Sequence, residues 1–333
     1  MPTQYLSVQS YLALAKELTR GVAQAGTTYI PIEPKQSVQS KIIWLKDMGL
    51  RGSPVDNYNI QAGVGYFEYN FSGNVFADSI CNLLVAGLGG PDTVTGGGPV
   101  YTHTIPLLNA ASVGSQPPSY TIYDVDNIAE GTSIAKMMAD GQLSTLDFTF
   151  NADGAVTYKG TWACELPVEV SSASVGSPVW TTENFIPAWN CSASLGPVGS
   201  TLSVVNIEEA SLSVNRNTVP EWTIGQQSPH QLFAGPIDVT GKLKFVAESG
   251  ESNFSRGLST SQQIFYLTFT EPVSGHNVIF QMNQVQFENP VVLREKSFEE
   301  VSVDFAISAN TTNAASGFSP LKVIANNGVS GAY

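Results

Sequence analysis

Three histidines, three cysteines and two pairs of adjacent glutamates are the residues of this 333-residue chain best suited to chemistry, and their spacing gives them little to do. His103, His230 and His276 lie far apart, no HExxH motif exists, and no GxSxG elbow precedes a helix. His103 sits in the strand-like YTHTI, where a structural hydrogen bond is its ordinary role. A Ser-His-Asp triad would have to assemble in space without any local signature. Glu208-Glu209 and Glu299-Glu300 invite a glycosidase reading, but neighbours in a strand point to opposite faces, so neither doublet makes an acid/base pair.

Residues 124–131 (DVDNIAEG) imitate the start of a calcium loop. An EF-hand needs an oxygen ligand, a Gly and a bidentate Glu at its fifth, sixth and twelfth positions; here stand Ile128, Ala129 and Ala135, and the segment is a polar turn. Gly87-Leu88-Gly89-Gly90 follows a helix rather than a strand, and Gly96-Gly97-Gly98 has no Lys-Ser/Thr behind it, so neither is a phosphate-binding loop. Cys81, Cys164 and Cys191 form no CxxC pair, and their odd number argues against a disulfide framework and for folding in the cytosol. The chain therefore reads as a non-enzyme, with no catalytic, metal-ligating or cofactor-binding residues to nominate.

Composition narrows the remaining classes. Apolar residues make up 42% and aromatics 10%, which suits a folded chain with one large or two medium cores. Charged residues make up only 13%, with Ser, Thr, Asn, Gln and Gly in their place, a polar but uncharged surface that fits either burial against further copies or a lone β-sandwich with polar loops. Net charge is −13, and basic residues do not cluster, which disfavours a grip on nucleic acid and permits an acidic surface that DNA slides past. The longest apolar stretch, near Ile80–Leu88, falls short of the ~18 residues a membrane helix needs. No signal-peptide pattern opens the sequence, so the sequons at Asn70, Asn190, Asn253 and Asn310 are read as chance.

Strand periodicity dominates what must position these residues. Leu146, Phe148 and Phe150 alternate with Thr145, Asp147 and Thr149, Asn151-Ala152-Asp153-Gly154 makes a turn, and Val156, Tyr158 and Trp162 return on one face. Residues 76–88 form the main expected helix, with Phe76, Ile80, Leu83, Leu84 and Gly87 on one side and Gly89-Gly90-Pro91 as its stop. Short helices are also expected at Leu12–Thr19 and Asn253–Leu258. Residues 90–99 and 171–200 read as loops, and a boundary near residue 200 separates an N-terminal half (1–200) from a C-terminal half (201–333). The halves share an order of strand, helix, strands, which either a duplication or chance similarity between β-rich segments explains. Trp180 and Trp189 lie in the second loop, where either an intersubunit contact or a binding surface would use them.

Several segments resemble the siphophage major tail tube protein family. ALAKELTRGVAQAGTTYIPIEP is similar to its opening, where a Lys-Glu pair and a Gly, here Lys16, Glu17 and Gly21, lead into the first strand. GLRGSPVDNYNIQAGVGYFEYNFSG resembles the strand pair before the helix, ICNLLVAGLGG the Leu-Leu helix, and VYTHTI the His-containing strand after it. ASLSVNRNTVP, GPIDVTGKLKF and FSPLKVIANN resemble later strands and the closing segment, so the likeness spans about residues 13–327. The loops at 171–200 are longer than the family pattern, and the tail after Asn327 has no place in it.

The resemblance implies a mainly β fold, an antiparallel sandwich or barrel with one or two short flanking helices. It implies a virion structural protein, made in the host cytoplasm, whose rings stack into the hollow tube of a non-contractile tail through which DNA passes without specific binding. Its partners would be further copies of itself, the tape measure protein, and the tail tip and tail terminator proteins. If the halves are repeats, three chains make a pseudo-sixfold ring; otherwise six chains are needed. Glu68, Asp147, Asp238 and Glu248 would supply lumen-facing acidity, and Trp180, Trp189, Pro91 and Asp92 would make contacts between subunits or rings. The loops at 91–99 and 171–200 would carry stacking, and deleting 172–178 would weaken assembly without unfolding the chain. A β-rich adhesin or carbohydrate-binding module is the alternative, and a hydrolase a distant third.

Overall fold

Apolar and polar residues alternate along most of the chain, and the described residues form twenty strands and two short helices. The computed structural model describes residues 10–34, 36–49, 51–108, 116–126, 134–172, 175–247, 253–258, 260–314 and 317–333. The first half runs β1 (Tyr11–Lys16), β2 (Thr28–Ile30), β3 (Ser37–Asp47), β4 (Asn59–Asn74), α1 (Ile80–Leu88), β5 (Thr93–Gly97), β6 (Val100–Pro106), β7 (Tyr120–Asp126), β8 (Ile134–Asn151), β9 (Thr157–Cys164) and β10 (Val168–Ser171). The second runs β11 (Cys191–Pro197), β12 (Ser203–Val205), β13 (Ile207–Asn215), β14 (Val219–Glu221), β15 (Gln231–Phe233), β16 (Asp238–Val246), α2 (Asn253–Leu258), β17 (Gln263–Thr270), β18 (Asn277–Leu293), β19 (Glu300–Ile307) and β20 (Lys322–Asn327).

Eight strands form one long antiparallel sheet in the order β3-β4-β9-β8-β13-β16-β19-β18, using the C-terminal parts of β8 and β18. A second layer comprises β2-β1-β7-β8-β10 and β12-β11-β17-β18-β20-β6-β5, using the N-terminal parts of the same two strands. The long strands β8 and β18 thus turn the corner from one layer to the other, each at a bulge. Along β7 and β8 the partners step from Tyr120↔Gly141 to Ile122↔Met138, and along β17 and β18 from Gln263↔Val285 to Phe265↔Met282. In each case two residues of the long strand face one, which bends it.

The same pairing plan occurs twice. β3-β4-β9-β8 with β2-β1-β7-β8-β10 in the first half matches β13-β16-β19-β18 with β12-β11-β17-β18-β20 in the second. The β5-β6 hairpin has no counterpart between α2 and β17 among the described residues, and it ties the halves together by pairing β6 with β20.

Between the layers lies one core built on Tyr69, Phe148, Trp162, Phe245, Phe265, Phe280 and Phe305. Rings cross it at close range: Tyr120 meets Trp162 at 5.5 Å, Phe148 meets Phe280 at 5.0 Å, and Phe150 stacks on Phe269 at 4.5 Å. The arrangement is a β-sandwich and not a closed barrel. The 145–162 hairpin, α2 and the core placement of Cys81 and Trp162 are as the alternation predicts.

Four expectations are corrected. Leu12–Thr19 is not a helix: Leu12 and Leu14 enter the main core while Tyr11 and Ala13 enter a satellite cluster, so both faces of β1 are covered and tertiary packing overrides helix propensity. The main helix proper starts at Ile80 rather than residue 76, preceded by a turn in which the Ile80 amide bonds the Phe76 carbonyl at 3.2 Å; it ends as predicted, at Gly89 in the left-handed region with φ 73°. Residues 90–99 are largely β5 and its turn, not a loop. The 171–200 segment holds a 3-10 turn (Ala188–Asn190) and β11, where Ala193 and Leu195 alternate into the core, so strands that pair with β17 already begin before residue 200. Val175 in the same segment is 1% exposed and packs beside Tyr11 and Tyr123, so deleting 172–178 would remove a core residue as well as surface. Residues 127–131 of the acidic turn and Glu248 lie outside the described residues.

Candidate functional site

The long sheet has one buried face and one polar face, and its polar face gathers most of the acidic residues singled out by sequence. Tyr69, Phe148 and Val239 point into the core, so by alternation Glu68, Asp147 and Asp238 point away from it, onto one common surface. Glu209, Glu288, Glu300 and Asp304 share that surface with Lys41, Lys159, Lys242 and Lys244, and carboxylates outnumber lysines.

Three of these lysines are held by carboxylates. Lys41 meets Glu68 at 2.9 Å, Lys244 lies 3.3 Å from Glu209 and 3.7 Å from Glu300, and Lys242 stands 3.8 Å from Asp304. Between them run hydroxyl and amide contacts: Thr161 donates to Asn70 at 2.9 Å, and the Ser213 hydroxyl donates to Asp147. Hydrogen bonding to Glu68 raises the Lys41 pKa, so that ammonium stays charged. A cation locked against neighbouring carboxylates attracts phosphate poorly, and none of these lysines forms part of a basic cluster.

The sheet's two outer edges are the second feature. Among the described residues β3 pairs only with β4 and the C-terminal part of β18 only with β19, so each has a side without a ladder partner, although Gly257 of α2 packs against Pro290 of β18. Edge strands left open in this way are templates for a further strand. Beyond Phe67, β3 and β4 run on as a two-stranded ribbon with Ile43, Trp44, Leu45 and Ile60 exposed. The segment before β15 braces it: the Gln227 carbonyl accepts the Gly65 amide and its side chain donates to the Gly63 carbonyl, both at 3.0 Å, while Trp222 faces Tyr66.

The remaining nominees scatter. Trp180 packs edge-on against Tyr11 and near Tyr29, at 5.9 and 6.2 Å, whereas Trp189 stays exposed in its 3-10 turn. Pro91 is exposed, but the Asp92 carboxylate is enclosed, 2.7 Å from His103 Nδ1 and accepting the Tyr333 amide, so its side chain is committed inside the chain. His103 Nε2 contacts the Val329 carbonyl at 2.9 Å, His276 pairs with Glu183 at 2.8 Å, and the His230 amide bonds Glu221 across the β14-β15 hairpin. Burial pushes the nearby Cys81 thiol far up, away from the nucleophilic thiolate. Each histidine that pairs is therefore a fastener between segments.

Sequence reasoning did not single out the open edges. Pro290 within the strand pattern of β18 is the one signal that points to an edge, since proline cannot donate to a ladder.

Comparison with known families agrees with this surface. A family model described as phage tail tube protein matches residues 7–313 of the 333. No curated protein matches the chain. A match over nine-tenths of its length, on a two-layer β fold, places this chain in the phage tail tube protein family.

Proposed function

We propose that the chain is the major subunit of a non-contractile phage tail tube, assembling as rings of three copies that stack into a tube for DNA. The observation that carries this reading is the twice-repeated sheet with its two open edges: the halves join inside the chain by pairing β8 with β13, and the same kind of joint remains unmade at each end. We infer that the halves are a duplication, so three chains stand in for six units. Eight strands from each of three chains make a 24-stranded wall, wider than the 16–18 strands that already enclose an aqueous channel in porins.

With the core face turned outward against the second layer, the polar face lines the bore. Glu68, Asp147 and Asp238 then present net negative charge to passing duplex, whose phosphates find no free cluster of lysines to bind. Such a tube would enclose a tape measure protein during assembly and meet tip and terminator proteins at its ends. The carbohydrate-binding alternative keeps only the exposed Trp189 and the partly exposed Trp180, whose ring also packs on Tyr11 and Tyr29.

Negative-stain electron microscopy with mass measurement at rising concentration tests the reading. Six-lobed annuli with the mass of three chains are expected. Annuli of six chains would replace the stoichiometry, and a monomer that binds glycans at every concentration would replace the function.

A further inference from the structure

We propose that residues 288–293 of β18 in one copy pair with β3 of a second copy as β8 pairs with β13, setting Val292 opposite Val38 and, across the bulge at residues 289–290, Glu288 opposite Lys41. This rests on the ring reading above and adds to it which residues meet.

The internal repeat supplies the register. Aligning the two corner bulges makes Met138 the counterpart of Met282, both fully buried, and Leu143 the counterpart of Phe287. Following direct partners outward, Leu143↔Trp162↔Tyr69↔Val38 in the first half corresponds to Phe287↔Phe305↔Gly241↔Leu212 in the second. Val38 is therefore the equivalent of Leu212. Inside the chain Leu212 lies opposite Phe148, which itself faces Tyr158. Counting from Trp162 and Phe305, Tyr158 corresponds to Val301, and Val301 faces Val292. The joint Leu212↔Phe148 thus has Val38↔Val292 as its unmade twin.

A row along the polar face gives a second pairing, which differs from the first by the one extra residue that β18 already carries in its bulge between Glu288 and Val291. Ser37, Asn70, Thr161, Thr145 and Asn215 are successive partners, and the row beginning at Ser211, the counterpart of Ser37, runs Lys242, Asp304, Glu288. Its next member by repetition is Lys41 of the second copy, the counterpart of Asn215. Glu288 faces the like charge of Asp304 within the chain, and on its open side it would share Lys41 with Glu68, which holds that lysine at 2.9 Å in the free chain.

The slope of the rows suits closure. Each row climbs four residues, from the level of Ser211 to that of Asn215, for every four strands crossed. With ~3.3 Å per residue and ~4.8 Å between strands, that is a strand tilt of about 35°, inside the range of closed barrels. Because the eight strands alternate in direction, the last is antiparallel to the first of the next copy, as a continuous ladder requires. Asn289, at φ 50°, and Pro290 interrupt the open edge once and limit pairing with wrong strands while the chain is free.

Paired cysteines test the register on assembled wild-type-length chains, in a Cys191→Ser background. Directly opposed residues have Cα atoms ~4.5–5.5 Å apart, within disulfide reach, while a two-residue slip puts them at ~7–8 Å. Val38→Cys with Val292→Cys should, on oxidation, convert monomer into covalent dimer and trimer, whereas each single variant and the pair Ser40→Cys with Val292→Cys should stay monomeric under denaturing conditions. Glu288→Lys should reduce ring yield, and adding Lys41→Glu should restore it. Rings that form but link through the Ser40 pair, or through neither pair, overturn the register alone. A wild-type chain that forms no ring overturns the tube reading and the register together.

Discussion

Glu17 shows how much work one side chain of the opening segment does. Its carboxylate accepts the Gly21 amide at 2.8 Å, and the Thr121 hydroxyl and Asp140 amide at 3.0 Å each, binding the first loop to the bulge of β8. Beside it Arg20 donates to the Leu232 carbonyl at 2.9 Å, and Asp140 accepts the Leu232 amide at 2.8 Å, so the corner of the first half also holds the β15 strand of the second. Glu17→Gln should lower unfolding free energy by ~1.5–3 kcal/mol, the scale of hydrogen bonds to a charged group, as read by denaturant melts. The cluster also titrates. Desolvation first raises the Asp140 carboxyl from 3.8 to about 6, and desolvation with the nearby Asp140 and Glu17 charges raises Glu165 from 4.5 to about 7. Both bind their proton more tightly in the folded chain, so their contribution is complete below about pH 4 and is lost as pH rises through 6 and then 7. The melting temperature should fall between pH 5 and pH 8, and Glu165→Gln should narrow that gap; an unchanged gap would mean Glu165 is not the titrating group.

At the scale of elements, legibility followed burial on one side. The β8-β9 hairpin was readable because Leu146, Phe148 and Phe150 face the core while Asp147 and Thr149 do not. β1 was not readable, since its two faces meet two different clusters, and β11 was hidden in a Ser- and Gly-rich segment whose strand character depends on β17 beside it. Alternation also cannot say which strand lies at an edge: Glu68, Asp147 and Asp238 were nominated through the family resemblance, and Val38 and Val292 needed the order of strands. The β3-β4 ribbon poses a separable question, because its apolar side chains face outward and stabilise the fold little. Replacing Trp44 and Leu45 by Ser should change stability within ~0.5 kcal/mol each and yet reduce self-association in sedimentation. A large loss of melting temperature would show instead that the ribbon packs on its own chain.

For the whole molecule, the decisive property is the sign of the polar sheet face. Asp147→Lys with Asp238→Lys adds cations to a surface where lysines are now matched by carboxylates. Assemblies of this variant should retain short duplex DNA at low salt and release it steeply as salt rises, while assemblies of the unchanged chain should retain none; retention by the latter would contradict a repelling bore. The β8-β13 joint has a mechanical consequence as well. In a ring of three such chains every second joint around the circumference lies within one polypeptide and is backed by covalent linkage through residues 152–206. Outward pressure on the wall would therefore find only three places to part, and hoop strength would be set by the β18-β3 seams alone.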